Sequence, residues 1–265
     1  MPIDRKAAIN SNESRGDYRL MRIASPELGR AARPGQFVMV KVADGCQPLL
    51  RRPLGVHDAD GSGIELLFKI AGAGTAVLAA KRPGDAVDLL GPLGKGFSVE
   101  AGLEGGPAYL VGGGRGIAPL YFLAKELVSR GAKVTVFYGG RSAADLVVRE
   151  RFALPGVKLL CSTDDGSYGA PGLVTELVAA RAGSDRPGML YACGPDAMLQ
   201  ALQKLVSGLG LRAEFSLESR MGCGIGACWG CVHRIRDEHG ESWTKVCEEG
   251  PVFPAERVVW TGEAA

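Results

Sequence analysis

The sequence predicts three parts in order: an N-terminal antiparallel β barrel, a parallel-sheet α/β domain, and a small cysteine-bearing C-terminal domain. Three observations carry that expectation. Residues 18–92 read as short apolar and β-branched runs broken by Gly, Pro and Asp, the pattern of a small antiparallel barrel or sandwich. Residues 108–207 alternate strand-like and helix-like runs, the pattern of βαβ units on a parallel sheet. Beyond them, four of the seven cysteines fall within residues 223–247. The expected boundaries are 1–104, 105–212 and 213–265.

Composition narrows the class. A chain of 265 residues is long enough for two domains with a small third, and for a sizeable core. With 46% hydrophobic and 23% charged residues it reads as globular and not disordered. A net charge of +2 and the lack of a Lys/Arg-rich run exclude a nucleic-acid footprint. No apolar stretch approaches the roughly 20 residues that span a bilayer. Residues 1–22 are polar and charged, without the apolar segment of a secretory signal. Together with an odd cysteine count, this leads us to expect a cytoplasmic chain. Glycine, at 39 residues, is about twice its usual share, so tight turns and close backbone approaches are expected.

In the first part, strands are expected at 18–24, 36–42, 49–57, 64–70 and 86–90, with turns at Pro34-Gly35 and Pro83-Gly84. Three features there suit a ligand. In Arg51-Arg52-Pro53-Leu54-Gly55-Val56, a guanidinium can clamp a pyrophosphate bidentately and proline suits an edge strand. Gly72-Ala73-Gly74-Thr75 leads into a helical run at 76–81, an arrangement that receives anions. Gly91-Pro92-Leu93-Gly94-Lys95-Gly96-Phe97 is a Gly-rich loop after a strand. Each alone also reads as a solvated arginine pair or a plain turn.

The second part opens with a strand at 108–111 that runs into Gly112-Gly113-Gly114-Arg115-Gly116-Ile117-Ala118-Pro119, followed by a helix at 120–127. Strand, glycine loop and helix place a pyrophosphate on backbone N–H groups. Pro119 belongs to the first helical turn, where its missing N–H costs little. Strands are expected next at 134–138, 157–161 and 189–192, with helices at 143–152, 174–181 and 197–207. Ligands of such sheets bind at the carboxyl ends of the strands. There stand Gly139-Gly140-Arg141, Thr163-Asp164-Asp165-Gly166 and Cys193-Gly194-Pro195.

In the third part, Cys223, Cys228, Cys231 and Cys247 have the spacing C-x4-C-x2-C-x15-C. The first three match the plant-type run that holds a [2Fe–2S] cluster, with a fourth cysteine further on. Structural zinc is the second reading, although it usually takes two close cysteine pairs. Two disulfides are the third, and nothing else suggests an oxidising compartment. Glycines at 222, 224, 226 and 230 let the backbone turn tightly and aim N–H groups at sulfur. Trp229, inside the loop, reads equally as an exposed interface anchor or a core residue.

This order of motifs resembles the electron-transfer subunit family of class 1B dihydroorotate dehydrogenase, within the ferredoxin–NADP⁺ reductase superfamily. The resemblance runs over about residues 15–260 and is most specific across 216–231 and 246–253. It implies FAD in the barrel, on Arg52, Pro53, Leu54 and Gly55, then Phe68, Lys69 and Ile70, then the phosphate turn Gly74-Thr75. It implies a [2Fe–2S] cluster on the four cysteines named above. It implies NAD(H) over Gly112, Gly113, Gly114 and Gly116, with Cys193, Gly194 and Pro195 near the nicotinamide; Asp164 is expected in the nucleotide site from its strand-end position, although Asp164-Asp165-Gly166 also reads as a turn. Cys193 and Gly55 would stand nearest the chemistry. The implied partner is an FMN-bearing catalytic subunit that oxidises dihydroorotate in pyrimidine biosynthesis, in a heterotetramer of two of each. Electrons would run from the partner through cluster and FAD to NAD⁺, preferred here over NADP⁺. Two positions depart from the family pattern. Gly55 stands where a serine is usual, which leaves only a backbone N–H for the flavin edge. Arg115 stands where an aliphatic residue is usual, so it either meets phosphates or points to solvent. Two other readings remain. One is the NAD(P)-binding flavin and iron–sulfur subunit of a hydrogenase, sulfhydrogenase or ferredoxin:NADP⁺ oxidoreductase complex. The other is a zinc-stapled, non-redox binding module.

Overall fold

Six strands close the barrel: β1 (Ile3–Arg15), β2 (Tyr18–Ala24), β3 (Phe37–Lys41), β4 (Arg52–Asp60), β5 (Gly63–Lys69) and β6 (Ala86–Leu93). The computed structural model describes residues 3–45 and 47–260, so the tips of the first and third expected domains lie outside the described residues. The strand order is β1-β2-β5-β4-β3-β6, all antiparallel. The alternating apolar residues Met21, Ile23, Val38, Val40, Ile64 and Leu66 point inward and are fully buried. Short helices α1 (Pro26–Ala31) and α2 (Ala73–Ala79) join β2 to β3 and β5 to β6. The first strand was not expected. Its 13 residues are mostly polar, and only Ala7 and Ile9 are buried. It is a strand because β2 and β6 pair with its two edges.

The barrel is broken at one place. Strands β4 and β5 pair from Val56↔Leu66 to Asp60↔Gly63. Before that, Arg52 to Gly55 pair only with β3, while Leu67 to Lys69 pair only with β2. The two strands fork, and each leaves one backbone edge unpaired with the other.

A seven-stranded sheet follows: β7 (Ala108–Gly113), β8 (Val134–Gly140), β9 (Val157–Thr163), β10 (Ala170–Pro171), β11 (Met189–Cys193), β12 (Ala213–Ser216) and β15 (Val252–Pro254). Its order is β10-β9-β8-β7-β11-β12-β15, and only β15 runs antiparallel to its neighbour. Helices α3 (Ala118–Ser129), α4 (Val174–Ala182) and α5 (Asp196–Leu209) cover it. The helix expected at 143–152 is instead two 3₁₀ turns, Ala143–Asp145 and Arg149–Phe152. Leu146, Val148 and Phe152 are all fully buried, and residues two apart cannot share one helical face.

The remaining chain forms β13 (Val232–Asp237), β14 (Gly240–Lys245), the short helix α6 (Val246–Glu249) and β16 (Val258–Val259). Strands β14, β13 and β16 make a separate three-stranded sheet. Barrel and seven-stranded sheet meet along β4 and α3. The buried His57 donates from Nδ1 to the Ala118 carbonyl, 2.7 Å away, and stacks on Tyr121. Lys125 reaches both carboxylate oxygens of Asp58 at 2.7 Å, and Arg151 pairs with Glu65.

Candidate functional site

The fork between β4 and β5 opens a cleft of about 300 Å³. Its lips are Arg52, Pro53, Leu54 and Gly55 on one side and Leu67, Phe68 and Lys69 on the other. The unpaired strand edges leave N–H and C=O groups for a ligand, which a closed sheet would not. Arg52 is aimed by Gly74. A Cβ at Gly74 would lie 2.1 Å from Arg52 Nε, so the guanidinium rests on bare backbone at the start of α2. Thr75 lines the cleft, and its Oγ1 accepts the N–H groups of Ala71 and Gly72 at 2.9 and 3.1 Å, fixing the turn. Arg51 turns away. It donates to the Asp88 carboxylate at 2.9 Å and to the Met39 and Asp88 carbonyls. Ile70 does not line the cleft; its side chain is exposed and its N–H bonds the Asp17 carbonyl. A Cβ at Gly55 would meet only Pro119 Cβ, at 3.9 Å, so neither backbone nor space requires glycine there.

A second cleft, of about 490 Å³, lies at the carboxyl ends of β7, β8, β9 and β11. Gly113, Gly114, Gly139, Gly140, Asp164, Gly194 and Pro195 line it. Gly112 and Gly116 lie beneath. A Cβ at Gly116 would fall 2.1 Å from the Cys193 carbonyl oxygen, and one at Gly112 would strike Ile117. They permit the loop to turn and do not line the cleft. Tyr18, Lys69, Arg141 and Asp145 are also in its walls. Tyr18 and Asp145 gave no sequence signal as site residues, because a barrel strand and a 3₁₀ turn converge only in three dimensions; Glu218 lies in the run of closest family resemblance, which did not mark it as part of this cleft. Lys69 Nζ stands 5.2 Å over the Tyr18 ring and 3.7 Å from Asp145. Asp145 also accepts the backbone N–H of Arg141 at 3.2 Å.

The two clefts touch. Lys69, Arg115 and Glu218 line both, while Cys193 lines the first and its neighbours Gly194 and Pro195 the second. Burial pushes the Cys193 thiol well above its ordinary range, so it is protonated at neutral pH and contributes a small uncharged wall. Arg115 does not point freely into solvent: its Nε lies 2.9 Å from Glu218 Oε2 and 3.1 Å from Oε1.

The cysteine run packs against the first cleft. Met221 lines that cleft, and a Cβ at Gly224 would lie 2.5 Å from Met39, the residue opposite Pro53 in the barrel. Each of the four sulfurs accepts one backbone N–H: Ile225 to Cys223 (3.4 Å), Gly226 to Cys247 (3.1 Å), Gly230 to Cys228 (3.4 Å) and Cys247 to Cys231 (3.4 Å). Gly226 and Gly224 both have positive φ, and a Cβ at Gly226 would strike the Glu248 carboxylate. The four sulfurs neighbour one another: Cys223 lies by Cys228, and Cys247 by both Cys231 and Cys223. Four neighbouring thiols with an N–H group on every sulfur suit the thiolates of a [2Fe–2S] cluster, which takes two for each iron. A single zinc would instead draw all four to one centre. Trp229 is 58% exposed, at φ 56°, with Lys245 Nζ 5.0 Å over its ring. It is a surface residue and not part of the core.

Known proteins share these features. Residues 218–259 match the family described as the iron-sulfur cluster binding domain of dihydroorotate dehydrogenase B, and residues 110–204 match the oxidoreductase NAD-binding domain. The dihydroorotate dehydrogenase B (NAD(+)) electron transfer subunit of Bacillus caldolyticus is 47% identical over 228 residues, 85% of this chain and 86% of its own. The subunit of the same name from Desulforamulus reducens is 39% identical over 243 residues, 91% and 92% of the two chains. A chain from the structure of an NADH-dependent reduced ferredoxin-NADP oxidoreductase, described for flavin-based electron bifurcation, superposes with a TM-score of 0.85. It is 30% identical and covers 97% of this chain and 91% of that one. A ferredoxin NADP⁺ reductase from Neisseria gonorrhoeae, solved with bound FAD and NADP, shares the fold at a TM-score of 0.67. It has 19% identity and covers 78% of this chain and 92% of that one.

Proposed function

The chain belongs to the family of dihydroorotate dehydrogenase B electron transfer subunits, and on that premise we propose that it relays electrons from dihydroorotate to NAD⁺ in pyrimidine biosynthesis. They enter from an FMN-containing catalytic subunit and pass through a [2Fe–2S] cluster and FAD. The observation that carries this reading is the contiguity of three sites: the barrel cleft shares walls with the cysteine run on one side and the sheet cleft on the other. When bound, FAD exchanges electrons singly or in pairs, and so joins a one-electron cluster to a two-electron nicotinamide.

The chain's own residues supply binding and orientation. Arg52 and the Gly74-Thr75 turn would hold the FAD pyrophosphate, and the open edges of β4 and β5 would meet the flavin. Leu54, Pro119 and Cys193, which line the same cleft, would keep water from it. Gly113 and Gly114 offer backbone N–H groups to the NAD pyrophosphate. Asp164 takes the ribose hydroxyls, as a carboxylate at a strand end does in NAD sites. Asp145 occupies both Lys69 and Arg141, which disfavours a 2′-phosphate and favours NAD⁺ over NADP⁺. Cys223, Cys228, Cys231 and Cys247 hold the cluster. Trp229 and Ile225, exposed on the same loop, meet the catalytic subunit in a heterotetramer of two of each. No helix among the described residues is long and apolar enough to cross a membrane, and we place the complex in the cytoplasm.

The test is anaerobic purification from the native cells, followed by addition of dihydroorotate and NAD⁺. Co-elution of an FMN-containing subunit and formation of NADH are expected. Co-elution of ferredoxin- or hydrogenase-type subunits, with dihydroorotate inert, would overturn the pathway and leave the cofactors standing. That second reading has one observation in its favour, the 0.85 superposition on the NADH-dependent ferredoxin-NADP oxidoreductase chain.

A further inference from the structure

The walls of the sheet cleft carry three cations, Lys69, Arg115 and Arg141, and three carboxylates, Asp145, Asp164 and Glu218. Its formal charge is therefore zero, yet the ligand expected there bears a pyrophosphate. Each of these cations already faces a carboxylate, so a pyrophosphate seated on the Gly113-Gly114 backbone that also takes one of them competes with that carboxylate.

The carboxylates differ in how firmly they are held. Asp145 is tied to its own segment: it accepts the Arg141 N–H, stands 3.7 Å from Lys69 and has a side chain only 15% exposed. Asp164, at the end of β9, makes no ion pair with any of the three cations among the described residues, so it holds none of them. Glu218 is different. It follows β12 outside any helix or strand, and its side chain is 42% exposed. Among the described residues its carboxylate is hydrogen-bonded to Arg115 alone.

The cation it holds stands where a phosphate would arrive. Arg115 lies in the 3₁₀ turn Gly114–Ile117, between the Gly113-Gly114 backbone and the first turn of α3. Its Nε donates to both oxygens of Glu218 and its Nη2 donates to Oε2. The Nε/Nη2 edge engaged here is the one by which arginine also takes phosphate oxygens. A side-chain carboxylate therefore occupies the anion position on this guanidinium.

We propose that Glu218 is an internal stand-in for the dinucleotide pyrophosphate: on binding, the pyrophosphate takes Arg115 and Glu218 is released into the common wall of the two clefts. Arg115 is thereby a phosphate-binding residue of this chain, at a position where the family pattern expects an aliphatic one. The inference rests on the reading of the sheet cleft as the NAD site. The exchange breaks one ion pair and makes another, so the selectivity is for phosphate-bearing ligands. Both partners are partly exposed, and pairs of that kind are individually weak. The competition is therefore one that a dinucleotide wins.

The probe is ADP-ribose, which has the pyrophosphate and no nicotinamide, titrated calorimetrically into the holo complex, with adenosine as the phosphate-free control. Arg115→Gln is expected to weaken ADP-ribose about tenfold, the loss of a charge-assisted contact, and to leave adenosine unchanged. Glu218→Gln is expected to tighten ADP-ribose about threefold to fivefold by removing the competitor. In the double variant the Glu218→Gln gain disappears, because the contested cation is gone. A merely structural ion pair would give no tightening in Glu218→Gln. Unchanged ADP-ribose affinity in Arg115→Gln, or a Glu218→Gln gain that persists without Arg115, overturns the inference while the NAD site stands. If the unmodified complex binds neither ADP-ribose nor NAD⁺, the reading of the cleft fails, and the inference with it.

Discussion

His57 shows how a single side chain ties two parts of the molecule to pH. It is wholly buried, and burial, with Arg151 and Lys125 nearby, lowers its pKa to about 3 against the opposing effect of its bond to Ala118. The unfolded chain returns it to about 6.5. Between those values the unfolded state binds the extra proton, so this contribution is complete above 6.5 and is lost as pH falls toward 3. Urea midpoints measured from pH 7 down to pH 4 are expected to fall, with a His57 share approaching about 1.4 kcal/mol per pH unit. His57→Gln should flatten that slope; an equally steep fall in the variant would assign acid sensitivity to other groups. A second expectation concerns Gly74. Gly74→Ala places a Cβ against Arg52 Nε and should weaken FAD binding by roughly tenfold, since lost hydrogen bonds to a charged group cost about 1.5–3 kcal/mol. Fluorescence titration of the deflavinated protein reads this. Gly55→Ser, for which there is room, should shift the flavin potential, and spectroelectrochemistry that finds no shift would remove any role for this departure. At this scale the sequence was only partly legible. Arg51 and Arg52 are adjacent and chemically identical, and only the strand's alternation decides that one meets Asp88 and the other the cleft.

Among the elements, those whose apolar pattern is local were readable. Strands β2 to β6 and the three long helices stand near the expected positions, because each buries a face that its own sequence marks. Strand β1 was not readable, since its stability comes from pairing on both edges and not from side chains. The pair of 3₁₀ turns at 143–152 departs from the expected helix because Leu146, Val148 and Phe152 are buried by surroundings the segment does not encode. The cysteine run was legible through its spacing, while the N–H groups on each sulfur depend on turns that only the folded loop displays. Cys247→Ser removes a buried sulfur from the short helix α6. It is expected to abolish the cluster's visible circular dichroism while the flavin signal stays. A cluster spectrum that survives would mean another residue serves as the fourth ligand.

At the scale of the whole molecule, the clefts exist because barrel and sheet are held in one fixed relation. Asp58 on β4 and Lys125 on α3 contribute to that relation, and Asp58→Ala leaves the ammonium unpaired. Lys125 is partly exposed, so the cost should be about 1–3 kcal/mol, below that of a fully buried pair. Chemical unfolding monitored by flavin release and by far-ultraviolet circular dichroism checks this; no change would place the cohesion of the two parts elsewhere. The ladder between β12 and β15, with Ser216 opposite Val252, brings both ends of residues 217–251 together. Leu217 donates to the Pro251 carbonyl just beyond it, and both of these residues line the barrel cleft. The cysteine-bearing stretch thus leaves and rejoins the sheet at one junction, and it is tied back a second time where β13 pairs with β16 and a third where Gly224 rests on Met39. A torque applied at its rim, where Trp229 stands, is shared among these three attachments. The junction is the one built into the wall of the barrel cleft, so whatever grips the outgrowth also has leverage on that wall.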